Sequence, residues 1–251
     1  MTEKKSGRLV ILAGPSCVGK SPLDKALKRI YPDLRNRMHL VVLYNSRNIR
    51  PGEEDGVDYY FRKREFIETL TSNDRYVVMD VRGDLQALDL KEVSDKLETG
   101  DLFFEGNPFI GRTLLTHPSL KEVKKRSAFM APLSRDEILF LKAPERHVTL
   151  PDMITDIMRR KLLRRTRRQK PELSLEDLEN IERRASSAYR ELKEAHIFEN
   201  IIPNHDGEDS ENWDAFYYPI GDAGKALNAF VSLLKGKKNS WIERWEPDLL
   251  P

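Results

Sequence analysis

Gly14-Pro15-Ser16-Cys17-Val18-Gly19-Lys20-Ser21 fits the spacing G-x-x-x-x-G-K-[ST]. Glycines at these positions let the backbone turn so tightly that several N–H groups face one concavity, which suits an anion. A lysine directly after the second glycine reaches the outer phosphates of a nucleotide. The Ser21 hydroxyl is the oxygen expected to hold Mg2+. A catalytic thiol at Cys17 is not expected, because no histidine lies near it in sequence to activate it.

The run Arg47-Asn48-Ile49-Arg50-Pro51-Gly52-Glu53-Glu54-Asp55-Gly56-Val57-Asp58-Tyr59-Tyr60-Phe61 has a second chemistry. Guanidinium forks match the oxygens of a phosphate monoester bidentately. A tyrosine hydroxyl can donate one bond more. Read without that chemistry, the run is a solvated loop rich in turn residues.

These groups need elements to hold them. Leu9–Ala13 reads as a buried strand and 22–30 as a helix, with Pro22 tolerated in its first turn and Pro32 closing it. Strand, glycine loop and helix together bring a helix N-terminus to the anion. Further strands are expected over 40–43, 76–81, 102–104, 138–141 and 201–202. Helices are expected over 64–70, 85–98, 152–168, 175–195 and 224–234. Ser174 with Asp177 three residues on marks the start of the helix at 175. Strands alternating with helices imply an α/β chain with a parallel sheet.

The chain has 251 residues, 39% of them hydrophobic and 33% charged, which suffices for a core and a solvated surface. A net charge of +2 argues against a general polyanion binder. One cysteine excludes an internal disulfide and fits a reducing cytoplasm. No signal core is expected behind the polar start 1–7, and no run approaches the about 20 apolar residues of a membrane span. Residues 204–212 read as an acidic loop, and the tail from Gly236 carries Trp241 and Trp245, expected to pack on the body.

Taken together, the phosphate loop and the run Arg47–Phe61 resemble the guanylate kinase family, whose acceptor segment reads roughly T-R-x-P-R-x-G-E-x-x-G-x-D-Y-x-F. Arg47, Arg50, Gly52, Glu53, Gly56, Asp58, Tyr59 and Phe61 carry the resemblance, which runs from about Arg8 to about Asn204. It implies a three-layer P-loop NTPase fold with a parallel sheet, an acceptor-binding subdomain and a helical lid. In these terms 1–235 form the family domain: core 8–40, 100–158 and 195–235, acceptor region 41–99, lid 159–194, followed by a tail over 236–251. ATP with Mg2+ would sit on Gly14, Pro15, Ser16, Cys17, Val18, Gly19, Lys20 and Ser21. Arg47, Arg50 and Tyr59 would grip the acceptor phosphate, with Glu53 orienting the arginines. The family's R-L-x-x-R helix maps onto Lys161-Leu162-Leu163-Arg164-Arg165, and the arginine of the next helix onto Arg184. Lys20, Arg47, Arg164, Arg165 and Arg184 would then stabilise charge during transfer. The lid accounts for the basic run 159–170 better than nucleic-acid contact does, so no nucleic-acid partner is expected.

The departures lie on the base side. Leu43 stands where the family has a small hydroxyl residue. Gly83-Asp84-Leu85-Gln86-Ala87-Leu88 replaces G-N-Y-Y-G-[TS], leaving Gln86 as the polar counterpart. Asp80 is a displaced stand-in for a base-reading glutamate. Phe104-Glu105-Gly106-Asn107 replaces L-D-x-D, which puts Glu105 near Mg2+ or the lid and Asn107 on the base. The stretch 116–136 reads as an insertion over the acceptor site. GMP or dGMP is the leading acceptor. A different base, another small phosphorylated acceptor, or a silent phosphopeptide-binding module stay open as alternatives.

Overall fold

The computed structural model describes residues 7–50 and 52–250, so the start 1–6 and Pro51 of the acceptor run lie outside the described residues. Among the described residues the strands are β1 Leu9–Ala13, β2 Met38–Leu40, β3 Leu43–Asn45, β4 Tyr59–Phe61, β5 Tyr76–Val81, β6 Asp84–Asp89, β7 Asp101–Gly106, β8 Lys125–Ala131 and β9 Asn200–Pro203. The α-helices are α1 Lys20–Ile30, α2 Pro32–Arg35, α3 Arg64–Thr69, α4 Leu90–Thr99, α5 Pro108–Thr116, α6 Arg135–Lys142, α7 Leu150–Gln169, α8 Leu175–Leu192 and α9 Gly221–Leu234. A parallel five-stranded sheet runs in the order β2-β7-β1-β8-β9, and a four-stranded sheet in the order β4-β3-β6-β5. β1 is apolar throughout and fully buried, as a central parallel strand covered on both faces should be.

The chain divides into two compact units. One is drawn from residues 7–10, Arg37–Phe104 and Thr113–Lys125 and holds the four-stranded sheet. Side-chain alternation gives that sheet two distinct faces. Tyr44, Tyr60, Val78, Leu85 and Ala87 share one face; Tyr44, Val78, Leu85 and Ala87 pack with Ile67 of α3, and Tyr60 lies against Tyr44. Leu43, Asn45, Tyr59, Phe61, Met79 and Gln86 share the other. Ile67 is fully buried, so Ile67→Ala is expected to cost about 2–5 kcal/mol of stability, read from urea unfolding.

The second unit comprises Ile11–Asn36, Glu105–Arg112 and residues 126–250. The α7 side chains Ile154, Met158 and Leu162, spaced four apart, are fully buried, as are Ala185 and Ala188 of α8. Asp24 of α1 and Arg35 form a buried ion pair at 2.5 Å. The tail packs on this unit: Glu243 exchanges backbone hydrogen bonds with Ile201, Trp241 donates to the Pro203 carbonyl at 2.9 Å, and Trp245 is buried.

Several elements differ from the sequence reading. The strand expected over 40–43 is two strands, because the chain steps from one sheet to the other at 41–42. Pro32 opens the short helix α2 instead of closing α1. The helix expected over 85–98 is β6 followed by α4. Pairing of β6 with both β3 and β5 overrides the helical propensity of its leucines and alanine, and Asp89 caps α4 by accepting from the N–H groups of Lys91 and Glu92. The strand expected over 138–141 is α6, started by a capping box between Ser134 and Glu137. The second half of the stretch 116–136 supplies β8, whose residues from Ser127 onward are buried.

Candidate functional site

The phosphate loop joins β1 to α1 within the second unit. Gly14, Cys17 and Gly19 have φ of 150°, 65° and 105°. At Gly19 a Cβ would lie 2.5 Å from the Asn204 amide nitrogen, so the loop tolerates only glycine there. Asn204 is fully buried and donates to the Val18 carbonyl at 2.8 Å, which fixes the loop from β9. α1 begins at Lys20 with no acidic residue in its first turn, so its positive end is uncompensated by its own side chains. Lys20, 7% exposed, donates to the carbonyls of Gly14 and Pro15 at 2.9 and 2.7 Å. Pro15, Ser16, Cys17 and Val18 form the bend between them.

Ser21 Oγ donates to Glu105 Oε1 at 2.6 Å, which places two hard oxygen ligands together at the end of β7. Burial pushes the Glu105 carboxyl up, against the opposing pull of Ser21 and Lys20. A divalent cation there would favour its charged form. Such a pair suits Mg2+, which keeps most of its shell for water and phosphate. Asn107 is engaged within the protein: its Oδ1 accepts from the Phe109 N–H at the start of α5, and its Nδ2 donates to Glu191 at 3.2 Å.

Burial raises the Cys17 thiol to about 12, with Glu208 adding to the effect. At pH 8 only about 1 in 10^4 of such thiols is ionised. Folded protein is therefore expected to resist a thiol-specific disulfide reagent at pH 8 and to react fully in denaturant, with absorbance of the released thiol as the readout.

Basic residues on α7 face acidic partners in the same unit. Arg164 Nε donates to Asp209 Oδ2 at 2.7 Å, and Arg165 Nη1 to Glu208 Oε2 at 2.8 Å. Arg159 makes a two-pronged pair with Glu182 of α8. The buried Nε of Arg165 has no hydrogen-bond partner among the described residues, which leaves a donor that a multi-oxygen anion would satisfy. Arg184 lies on α8, near enough to favour the Glu208 carboxylate. The acidic loop 204–212 was legible in composition, but its pairing with α7 was not.

In the first unit Arg47 and Glu53 form a bidentate pair, Nη1–Oε2 2.7 Å and Nη2–Oε1 2.5 Å. Glu53 also accepts from the Arg50 backbone N–H at 2.9 Å. Burial alone would raise Glu53, but these donors hold its carboxyl below the usual range. The Arg47 guanidinium lies 5.0 Å from the Tyr59 ring centroid and 5.2 Å from that of Phe61. Arg47, Glu53 and Tyr59 are thus one cluster, on the sheet face that also carries Gln86 and Asn45. Asn45, 1% exposed, sits across the ladder from Gln86 and accepts from the Arg47 N–H at 3.1 Å. The sequence reading missed Asn45; its place two residues before Arg47 was the available signal. Asp80 is on the opposite sheet face from Gln86, where it accepts from the Gly83 N–H and pairs with Arg64, so the structure does not bring Asp80 and Gln86 together.

The Guanylate kinase family model matches residues 6–98, a stretch that takes in both the phosphate loop and the Arg47–Glu53–Tyr59 cluster. A guanylate kinase of Synechococcus sp. (strain JA-3-3Ab) is 34% identical over 133 residues, which is 48% of this chain. That match spans 59% of the relative's length. The crystal structure of guanylate kinase from Anaplasma phagocytophilum is similar in fold, with a TM-score of 0.53 at 16% identity, covering 94% of this chain and 89% of that one. The fold is of the P-loop NTPase type. Among the described residues no helix is long and apolar enough to cross a membrane.

Proposed function

We propose that this chain is an ATP-dependent nucleoside monophosphate kinase of the guanylate kinase type, moving the γ-phosphoryl of ATP onto GMP or dGMP to give ADP and the diphosphate. The observation that carries the reading is an intact phosphate loop, with Lys20 and Ser21 at the start of α1, in a chain that also holds the Arg47–Glu53–Tyr59 cluster. Within this reading, 41–99 form the acceptor region and 159–194 the lid. Use of ATP fits a cytoplasmic setting.

Transfer between phosphates is helped by positioning and charge stabilisation, with little covalent work for the protein. Arg47, Arg50 and Tyr59 hold the acceptor phosphate, and Glu53 keeps the Arg47 fork in one orientation. Lys20, Arg164, Arg165 and Arg184 spread the charge that develops during transfer. Ser21 and Glu105 would hold Mg2+, which screens the phosphates when bound. No general base is needed, since the attacking phosphate oxygen is already anionic. The pairing of the α7 arginines with internal acids supports a lid over a nucleic-acid surface.

A different acceptor base is favoured by particular residues. Leu43 offers no hydroxyl, Asp80 turns to the far sheet face, and both ends of the Asn107 amide are engaged. The test is coupled ADP release with MgATP and a panel of monophosphates, beside a Lys20→Ala control. Release with GMP, lost in the control, supports the guanylate kinase reading. Release with another monophosphate reassigns the acceptor. Silence across the panel despite ATP binding would favour the phosphopeptide module or a non-nucleotide acceptor.

A further inference from the structure

Lys161, Arg164, Arg165 and Arg168 of α7 follow an i, i+3, i+4, i+7 spacing and so share one helix face. The loop 205–211, which follows β9, meets that face residue by residue. Lys161 donates to the His205 carbonyl, Arg164 to Asp209, Arg165 to Glu208, and Arg168 to Glu211 at 3.1 Å. The same loop presses on the phosphate loop. The Glu208 N–H donates to the Cys17 carbonyl at 3.2 Å, and a Cβ on Gly207 would lie 2.3 Å from that oxygen. Two acidic side chains therefore stand beside the phosphate loop and neutralise the cations that, on the reading above, serve the nucleotide's phosphates.

We propose that Glu208 and Asp209 are an internal anion that holds Arg165 and Arg164 in place of nucleotide phosphate, so that loop 205–211 is an autoinhibitory latch which MgATP must displace. The proposal rests on the phosphate loop binding a nucleoside triphosphate. The exchange is chemically reasonable. Arg165 offers Glu208 a single hydrogen bond and keeps a buried Nε unpaired, whereas a phosphate group has oxygens enough for both. Burial works against the Glu208 charge, yet Arg165, Lys20 and Arg184 together hold its carboxyl below the usual range. The latch is thus anionic at neutral pH. The apparent affinity for ATP is then the intrinsic affinity multiplied by the fraction of molecules with the latch open.

Trp213 supplies a built-in reporter, because its Nε1 donates to the carbonyls of Asp206 and Gly207 at 2.7 and 3.1 Å. Opening the loop must change that environment. The experiment is calorimetric titration of MgATP into the wild type, Glu208→Gln, Asp209→Asn and Lys20→Ala, with tryptophan emission recorded in parallel and Trp213→Phe as the emission control. Glu208→Gln is expected to bind MgATP about tenfold more tightly, Asp209→Asn more tightly to a lesser degree, and the ATP-induced emission change to vanish in Trp213→Phe. Unchanged or weaker binding in both neutral variants, with the wild type still binding and Lys20→Ala not, would overturn the latch alone. If no protein of the set binds MgATP, the nucleotide reading falls and takes the latch with it. Should Glu208→Gln unfold, as its circular dichroism would show, Asp209→Asn decides by the same criterion.

Discussion

Lys20→Ala is expected to lower kcat by about 10^3-fold, the scale set by removing one preorganised charge donor from a transition state that gathers negative charge. Lys20 is 7% exposed and its ammonium is bonded to the carbonyls of Gly14 and Pro15, so it is already held within the turn that would cradle phosphate. Its loss leaves those carbonyls without a donor and takes a positive charge from the N-terminus of α1. The change should appear in kcat and in MgATP affinity together, while the affinity for GMP changes little. Initial rates at varied ATP and GMP separate these quantities. A variant with wild-type kcat would remove Lys20 from the mechanism.

Arg47→Ala is expected to lower kcat/KM for the acceptor by about 10^2- to 10^3-fold, in line with breaking a charge-assisted bidentate contact in a partly buried site. Two things are lost at once. The acceptor phosphate loses its fork, and Glu53 loses the partner that holds its carboxyl down against burial. Arg47→Lys should recover little, because a lysine cannot engage Glu53 in two parallel bonds or lie over the Tyr59 ring as a planar group does. The KM for ATP should stay near the wild-type value. A rise in the KM for ATP equal to that for GMP would mean that Arg47 acts through folding rather than through the acceptor phosphate.

Legibility in the sequence followed the range of the forces involved. Residues 14–21 were readable because a glycine at 19, a lysine at 20 and an apolar strand before them are local signals, even though Asn204 and Glu208 also bond to the loop. The start of α8 at Ser174 was readable for the same reason, since a capping box closes within four residues. The Ser134–Glu137 box is equally local, but the apolar run 138–141 that follows it in α6 has the composition of a short buried strand. β6 was hidden for a different reason. Leu85, Ala87 and Leu88 have helical propensity, and only pairing with β3 and β5 makes them a strand.

That same register decides which side chains can meet. It puts Gln86 with Asn45 and Tyr59 and puts Asp80 with Tyr44 and Tyr60, a division invisible until the strands are paired. The acid–base pairing of loop 205–211 with α7 joins residues more than forty positions apart and had no local signature beyond the charges themselves.

The proposed reaction moves a phosphoryl group from ATP to a nucleoside monophosphate. Its most direct test is ATP labelled at the γ-phosphorus, incubated with Mg2+, GMP and the protein, with the products separated chromatographically. Label is expected in the β-position of GDP, one labelled GDP for each ADP formed, and none with Lys20→Ala. Label found in inorganic phosphate or in protein, with GMP unchanged, would contradict it.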